Sequence, residues 1–217
     1  MDMKFDKYKN DGWGLSELQL KELLNIIKES KNEKLRVVEF GSGKSTEFLV
    51  DIVLNGIKPM EIISFDDNPT YAYKNDGNHE FINLKITGLE ECDDESYNKM
   101  FNTKTYDKSL MSVKTTLLHS RQKNNFYKIE ESDLTDIYDL MILDGPNGNG
   151  RNISYLHMQN HLDIGSIVLI DDYTHYDFIE KFELFFDFKV LHENNSGKLD
   201  QWLNGGIYKI LEITNKK

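Results

Sequence analysis

Acidic side chains stand in this chain where apolar runs stop. Leu35-Arg36-Val37-Val38 leads into Glu39 and a tight turn, Phe40-Gly41-Ser42-Gly43. The run 61–65 ends on Asp66 and Asp67, the run 138–143 on Asp144, and the run 165–170 on Asp171 and Asp172. Carboxylates gathered on one rim are costly to bury unless they meet hydroxyls, amines or a metal ion. A glycine turn that opens onto a helix N-terminus adds bare backbone N–H groups, the setting for a nucleotide-like ligand. His175, three residues past Asp172, is the side chain best placed to accept a proton. His157 and His161 stand one helical turn apart and read as partly exposed helix positions. Arg151, after a glycine-rich loop, reads as a partner for an acid or a substrate anion, or as a solvated loop charge.

Such groups need elements to hold them. Ser16 precedes Gln19 by three residues, a capping-box spacing, and Leu18, Leu20, Leu23, Leu24, Ile26 and Ile27 continue at helical spacing, so 16–30 reads as a helix. Residues 1–14 read as a loosely packed lead-in. After the glycine turn, Phe48, Leu49, Ile52 and Val53 mark a helix face that stops at Asn55-Gly56. Strands follow at 61–65 and 81–87, with a short helix at 69–75 between them. Residues 138–144 suit a central strand, 153–162 a helix, 165–170 another buried strand and 176–186 a further helix. The runs 188–192 and 207–213 read as a terminal antiparallel pair. Alternating strands and helices predict a single domain over 1–217, a doubly wound α/β sheet that is mostly parallel with helices on both faces. Within it, 1–34 forms the lead-in and first helix.

Residues 88–136 break the rhythm. They are long, polar and weakly periodic, with order expected only as a helix at 109–118 and a strand at 125–129. A stretch of this length inside a compact domain reads as a functional lid or a decorated insertion, with coverage of an acceptor site as the expectation. Its aromatics (Tyr97, Phe101, Tyr106, Phe126, Tyr127) either cover that acceptor or supply local packing.

Bulk properties narrow the partners. Of 217 residues, 39% are hydrophobic and 29% charged, which describes a soluble globular chain. The formal charge is −11, from 26 basic and 37 acidic residues. Scattered acids and few basic clusters argue against nucleic acid or an anionic membrane as partner. The one cysteine, Cys92, excludes an intrachain disulfide. No signal-peptide core and no apolar run of about 20 residues is visible, so the expected location is cytoplasmic.

The turn Gly41-Ser42-Gly43-Lys44-Ser45-Thr46 invites comparison with a P-loop. That motif needs a glycine where Val38 stands, inside the strand, and the dinucleotide G-x-G-x-x-G lacks its third glycine. Asp66 falls where a carboxylate would take the two hydroxyls of a ribose. Glu39 before the turn and Asp66 at the next strand end together favour a nucleoside ligand that has no pyrophosphate.

The segments VVEFGSGKST, ISFDDNP, YDLMILDGP and GSIVLIDDY resemble the class I S-adenosylmethionine-dependent methyltransferases over 35–175, with 88–136 unaligned. The resemblance implies a Rossmann-like fold with an antiparallel last strand. It implies cofactor contacts at Glu39, Gly41, Ser42, Gly43, Ser45, Asp66, Asp67 and Asp144, with adenine near Gly88 and Leu89 and Lys44 outside the chemistry. Asp144 together with Asp171-Asp172-Tyr173 is similar to magnesium-dependent O-methyltransferases, including those acting on macrolide sugars, which implies Asp144, Asp171 and Asp172 as metal ligands. LDGPNGNGR also resembles families acting on polysaccharide sugars without an assured metal. The expected reaction is methyl transfer to a hydroxyl of a sugar or small metabolite, with Asp144 and His175 as catalytic residues. Two alternatives stay open, a P-loop-like ATP-dependent phosphotransferase and a non-catalytic S-adenosylmethionine-binding protein.

Overall fold

Apolar runs too hydrophobic to show a solvent face must be covered on both sides, and here they pair into one sheet. The structure, a computed structural model, describes residues 3–9, 14–74, 79–113, 124–195 and 206–217. In chain order its main elements are α1 (Glu17–Glu29), β1 (Leu35–Phe40), α2 (Lys44–Leu54), β2 (Met60–Asp66), β3 (Ile82–Ile86), β4 (Leu89–Glu91), α3 (Asp94–Thr103), β5 (Ser112–Val113) and β6 (Asn125–Tyr127). There follow β7 (Leu140–Leu143), α4 (Ile153–Met158), β8 (Ile167–Asp171), α5 (Phe178–Phe182), β9 (Phe186–Asn194) and β10 (Tyr208–Lys216).

Seven strands form the main sheet in the order β3-β2-β1-β7-β8-β10-β9. The pairs from β3 to β8 are parallel, whereas β10 runs antiparallel to both β8 and β9. The order turns back between β1 and β7, where Phe40 stands opposite Leu143. In open α/β sheets the ligand crevice lies just beyond such a reversal, at the carboxyl ends of the strands. The doubly wound fold and its antiparallel last strand are therefore as expected.

Successive strand residues face opposite sides, and this alternation divides the core. Val37, Ile62, Leu140, Ile142, Leu169 and Ile210 pack on one face against α1 and α2. Val38, Phe65, Met141, Leu143, Val168 and Ile170 pack on the other against α4, α5 and the 88–136 segment. The capping box of α1 is present, with Ser16 N donating to Gln19 Oε1 (2.8 Å) and Gln19 N to Ser16 Oγ (3.3 Å).

The structure departs from expectation at several points. Phe5–Tyr8 is a 3-10 turn held down by a buried ring: Tyr8 packs edge-on against Phe48 (5.4 Å) and donates to Asp51 Oδ2 (2.5 Å), so this described part of the lead-in is docked. The helix expected at 69–75 is a turn through its described part, and residues 75–78 lie outside the described ones. Of the helix expected at 109–118, Lys108–Leu110 is a 3-10 turn and Ser112–Val113 a strand; the rest lies outside the described residues. The helix expected at 176–186 spans only Phe178–Phe182, because Phe186 already begins β9.

The 88–136 segment holds more order than its polarity suggests. β4 pairs with β5 and β6 in a small sheet, and α3 starts at Asp93, whose side chain accepts from Ser96 N (2.7 Å). Tyr97, Met100, Phe101, Phe126 and Tyr127 are all buried in the core. These aromatics pack the sheet face. The segment is fastened to the body at Gly150, where an added Cβ would stand 1.9 Å from Asn125 O and 2.3 Å from Asn125 N. Asn149 adds two hydrogen bonds, accepting from Asn124 N (3.0 Å) and donating to Asn124 Oδ1 (2.7 Å). Among the described residues no helix is long and apolar enough to cross a membrane.

Gly150→Ala must displace the β6 backbone, and is expected to cost about 2–3 kcal/mol, a fall of roughly 5–10 °C in Tm for a chain of this size. Gly88→Ala, with nothing within 4 Å of the added Cβ, serves as control and should stay within about 0.5 kcal/mol. Thermal melts followed by circular dichroism compare the two.

Candidate active site

Beyond the sheet reversal the backbones after β1 and β7 touch. Gly41 has φ 104°, and a Cβ on it would stand 2.9 Å from Gly145 N. A Cβ on Gly145 would in turn stand 3.0 Å from Gly41 Cα. Asp144 N and Gly145 N both donate to Phe40 O (2.9 and 2.7 Å). Glycine is required on both sides of this contact, since a side chain on either would drive the two strand ends apart.

The amides of the glycine turn are not bare. Gly41 N donates to Phe65 O (2.9 Å), Ser42 N to Asp66 Oδ2 (2.9 Å) and Gly43 N to Thr46 Oγ1 (2.9 Å). This corrects the expectation of bare N–H groups at the turn. Ser45, which stands where a P-loop presents a hydroxyl to magnesium, is buried, and Thr46 beside it is fully buried and donates to Glu39 Oε2 (2.5 Å). Lys44 is exposed and pairs with Glu47 (2.7 Å). The ATP-binding alternative has no structural support.

Glu39 is fully buried. Its Oε2 also accepts from Ser64 (2.6 Å), while Oε1 has no hydrogen-bond partner among the described residues. Burial lifts its pKa from 4.5 to about 7, against the pull of the Ser45, Ser64 and Thr46 hydroxyls and with a push from the Asp144 charge. Asp66 is buried at the end of β2 and accepts from Asn68 N through Oδ1 (2.7 Å) in addition to Ser42 N. Burial raises it from 3.8 to about 6, countered by those two amides and assisted by Asp67 and Asp144. Asp67 is exposed beside it.

Asp144 and Asp171 meet across the neighbouring strand ends and hydrogen bond to each other. Burial raises both, most strongly Asp171, on which the Asp144 and Asp172 charges also act; the Arg151 guanidinium opposes the rise at each. Two carboxyls so placed share a proton. Gln19 Nε2 donates to Asp171 Oδ1 (2.6 Å), and Arg151 donates through Nε to Pro146 O (2.7 Å) and through Nη1 to Asp171 O (3.1 Å). Arg151 is therefore a buried structural cation.

Asp172 does not join this pair. Its φ of 55° turns it toward His175, whose Nδ1 lies 3.5 Å from Asp172 Oδ2. Both side chains are substantially exposed, at 40% and 53%. Among the described residues no group of three or more His, Cys, Asp or Glu side chains is arranged to hold a metal ion. The expected magnesium set of Asp144, Asp171 and Asp172 is thus reduced to a proton-sharing pair already engaged by Gln19, and these residues do not fit a metal. His175, expected as base, sits on the exposed side with Asp172. His157 is also not where its spacing suggested: its ring packs 4.1 Å from Tyr106, and burial pushes its pKa down to about 3.

Gln19 and Tyr127 reach this neighbourhood without having been singled out as site residues. Gln19 is visible in sequence as a capping residue, but its contact with Asp171 spans 152 positions. The Tyr127 hydroxyl lies against Gly145, 2.3 Å from the place a Cβ would take.

The raised pKa of Glu39 has a stability consequence. Between pH 4.5 and about 7 the folded chain holds a proton at Glu39 that the unfolded chain has lost. Folding stability therefore falls as pH rises through that window, by on the order of 3 kcal/mol at most from this group. Glu39→Gln should flatten the dependence across that interval relative to wild type in urea unfolding at stepped pH; parallel curves would show that Glu39 is ionised throughout.

No protein-family model matches the chain, and no curated protein matches it in sequence. Among the solved structures similar to it in fold are two with TM-scores of 0.50 and 0.51. One, described as "CmcI-N160 apo-structure", is 14% identical with a TM-score of 0.50, over 99% of this chain and 85% of that one. The other, the SAH-bound Podospora anserina methyltransferase PaMTH1, is 13% identical with a TM-score of 0.51, over 94% of this chain and 81% of that one. The chain has the Rossmann-like fold of the class I S-adenosylmethionine-dependent methyltransferases.

Proposed function

We propose that the chain is an S-adenosylmethionine-dependent methyltransferase that acts on a hydroxyl oxygen of a sugar or small metabolite. The observation that carries this reading is Glu39 Oε1, a fully buried carboxyl oxygen with no partner among the described residues, behind the glycine contact of a methyltransferase fold. An orphaned buried acceptor calls for a donor, and the ammonium of an amino-acid ligand is one. PaMTH1, similar in fold, is SAH-bound, which supports a ligand of that chemistry here.

The sulfonium of the bound cofactor supplies an already activated methyl group. What remains for the protein is alignment and one proton transfer. Glu39, with Gly41, Ser42, Gly43 and Ser45 around it, holds the amino-acid end, and Asp66 with Asp67 takes the ribose hydroxyls. Asp144 keeps part of its surface open while Asp171 is buried, so the pair presents Asp144 outward. With the shared proton on Asp171, Asp144 is the ionised partner and accepts the proton of the attacking hydroxyl. No step needs a metal. The net charge of −11 favours a neutral acceptor over nucleic acid.

Calorimetric titration of the intact protein with S-adenosylhomocysteine, ATP and NAD tests the ligand; only the first should bind. Asp66→Asn is expected to weaken that binding roughly tenfold to a hundredfold through loss of charge-assisted hydrogen bonds, whereas Lys44→Ala should leave it within about twofold, as its side chain points to solvent. Binding of ATP alone, or an Asp66→Asn variant that matches wild type, would overturn the reading. Turnover with a panel of hydroxyl acceptors then separates an enzyme from a protein that only holds the cofactor.

A further inference from the structure

The rim at the strand ends is rich in acceptors and poor in donors. Glu39, Asp66, Asp144 and Asp171 all present carboxyl oxygens there. The three amides of the glycine turn already have acceptors within the protein. Gln19 Nε2 is engaged by Asp171, and two Arg151 donors are engaged by carbonyl oxygens. A ligand with an amino-acid end brings an ammonium that suits these acids and a carboxylate that does not.

One further donor enters from the 88–136 segment. Tyr127 closes β6 and is 3% exposed; its ring lies 6.4 Å from Phe40 at 17°, and 5.4 Å from Phe126. A phenylalanine could make the same ring contacts. The hydroxyl is what sets this residue apart: it rests on Gly145, which has no side chain to obstruct it. It stands within the fields of Asp66, Asp67, Asp144 and Arg151. No described residue closes a hydrogen bond on it. Burial and the neighbouring carboxylates keep the phenol protonated, and so a donor.

We propose that the Tyr127 hydroxyl is a ligand-positioning donor, contributed by the 88–136 segment, that hydrogen bonds the carboxylate at the amino-acid end of the bound cofactor. The proposal rests on the methyltransferase reading. Through Tyr127 the segment contacts the donor side of the site as well as packing the sheet. Gly145 is left bare for the hydroxyl, and Asn125 at the other end of β6 is pinned on Gly150, so the register of β6 fixes where the hydroxyl stands.

The test is calorimetry on wild type and Tyr127→Phe with two probes, S-adenosylhomocysteine and 5′-methylthioadenosine, which lacks the amino-acid end. The expected result is a loss of about tenfold for S-adenosylhomocysteine with 5′-methylthioadenosine unchanged within twofold. Unchanged binding of both, or equal weakening of both, overturns the proposal. Wild type that fails to bind S-adenosylhomocysteine at all removes the underlying reading, and the proposal with it. Tyr127→Phe keeps the ring and should melt within a few degrees of wild type. If it does not fold, carbon-13 tyrosine labelling of wild type replaces it: the Tyr127 Cζ resonance must move with S-adenosylhomocysteine and stay with 5′-methylthioadenosine, and the opposite pattern overturns the assignment.

Discussion

The backbone contact between Gly41 and Gly145 governs the rest of the site. β1 and β7 are adjacent parallel strands, and their ends can stay together past Phe40 and Leu143 only if neither following residue carries a Cβ. Keeping them together lets Phe40 O accept two amides from the other strand and leaves Glu39 buried behind the turn. It also brings Asp144 within reach of Asp171. Widen that contact and the orphaned carboxyl floods, the acid pair separates and the shelf under Tyr127 is lost.

The burial of so many acids is tolerated for distinct local reasons. Glu39 is met by hydroxyls, Asp66 by backbone amides, and Asp144 and Asp171 by each other, by Gln19 and by the field of Arg151. Each arrangement lowers the cost of desolvation without abolishing it, which is why the pKa values of these groups rise. The rim is left less negative near neutral pH than its carboxyl count implies. That is the condition under which a zwitterionic ligand can approach and a hydroxyl can lose a proton.

Strand ends were legible because periodicity and glycine punctuation are local signals. Glu39, Asp66, Asp144 and Asp171 each follow a run of Val, Ile, Leu or Phe, and the sheet places them on one edge whatever lies between. α3 was not anticipated, although Tyr97, Met100 and Phe101 fall at i, i+3 and i+4 behind the Asp93 cap; a charged background on the outer face obscures so short a stripe. Asp172 is set apart from the acid pair by one backbone angle, its left-handed φ, which adjacent acids in a sequence do not reveal. His157, Gln19 and Tyr127 depend on contacts between distant segments, and residue type alone could not assign them.

Gln19 belongs to two structures at once. Its backbone amide and side-chain oxygen close the first turn of α1, while its side-chain amide holds Asp171 at the far end of the sheet. Fraying of that turn and reorganisation of the acid pair are therefore one event. We expect hydrogen exchange at the Gln19 amide to slow when a ligand orders Asp171, and to stay unchanged if the turn opens independently of the rim. The N-terminal helix would then report, from the edge of the molecule, on events at its centre.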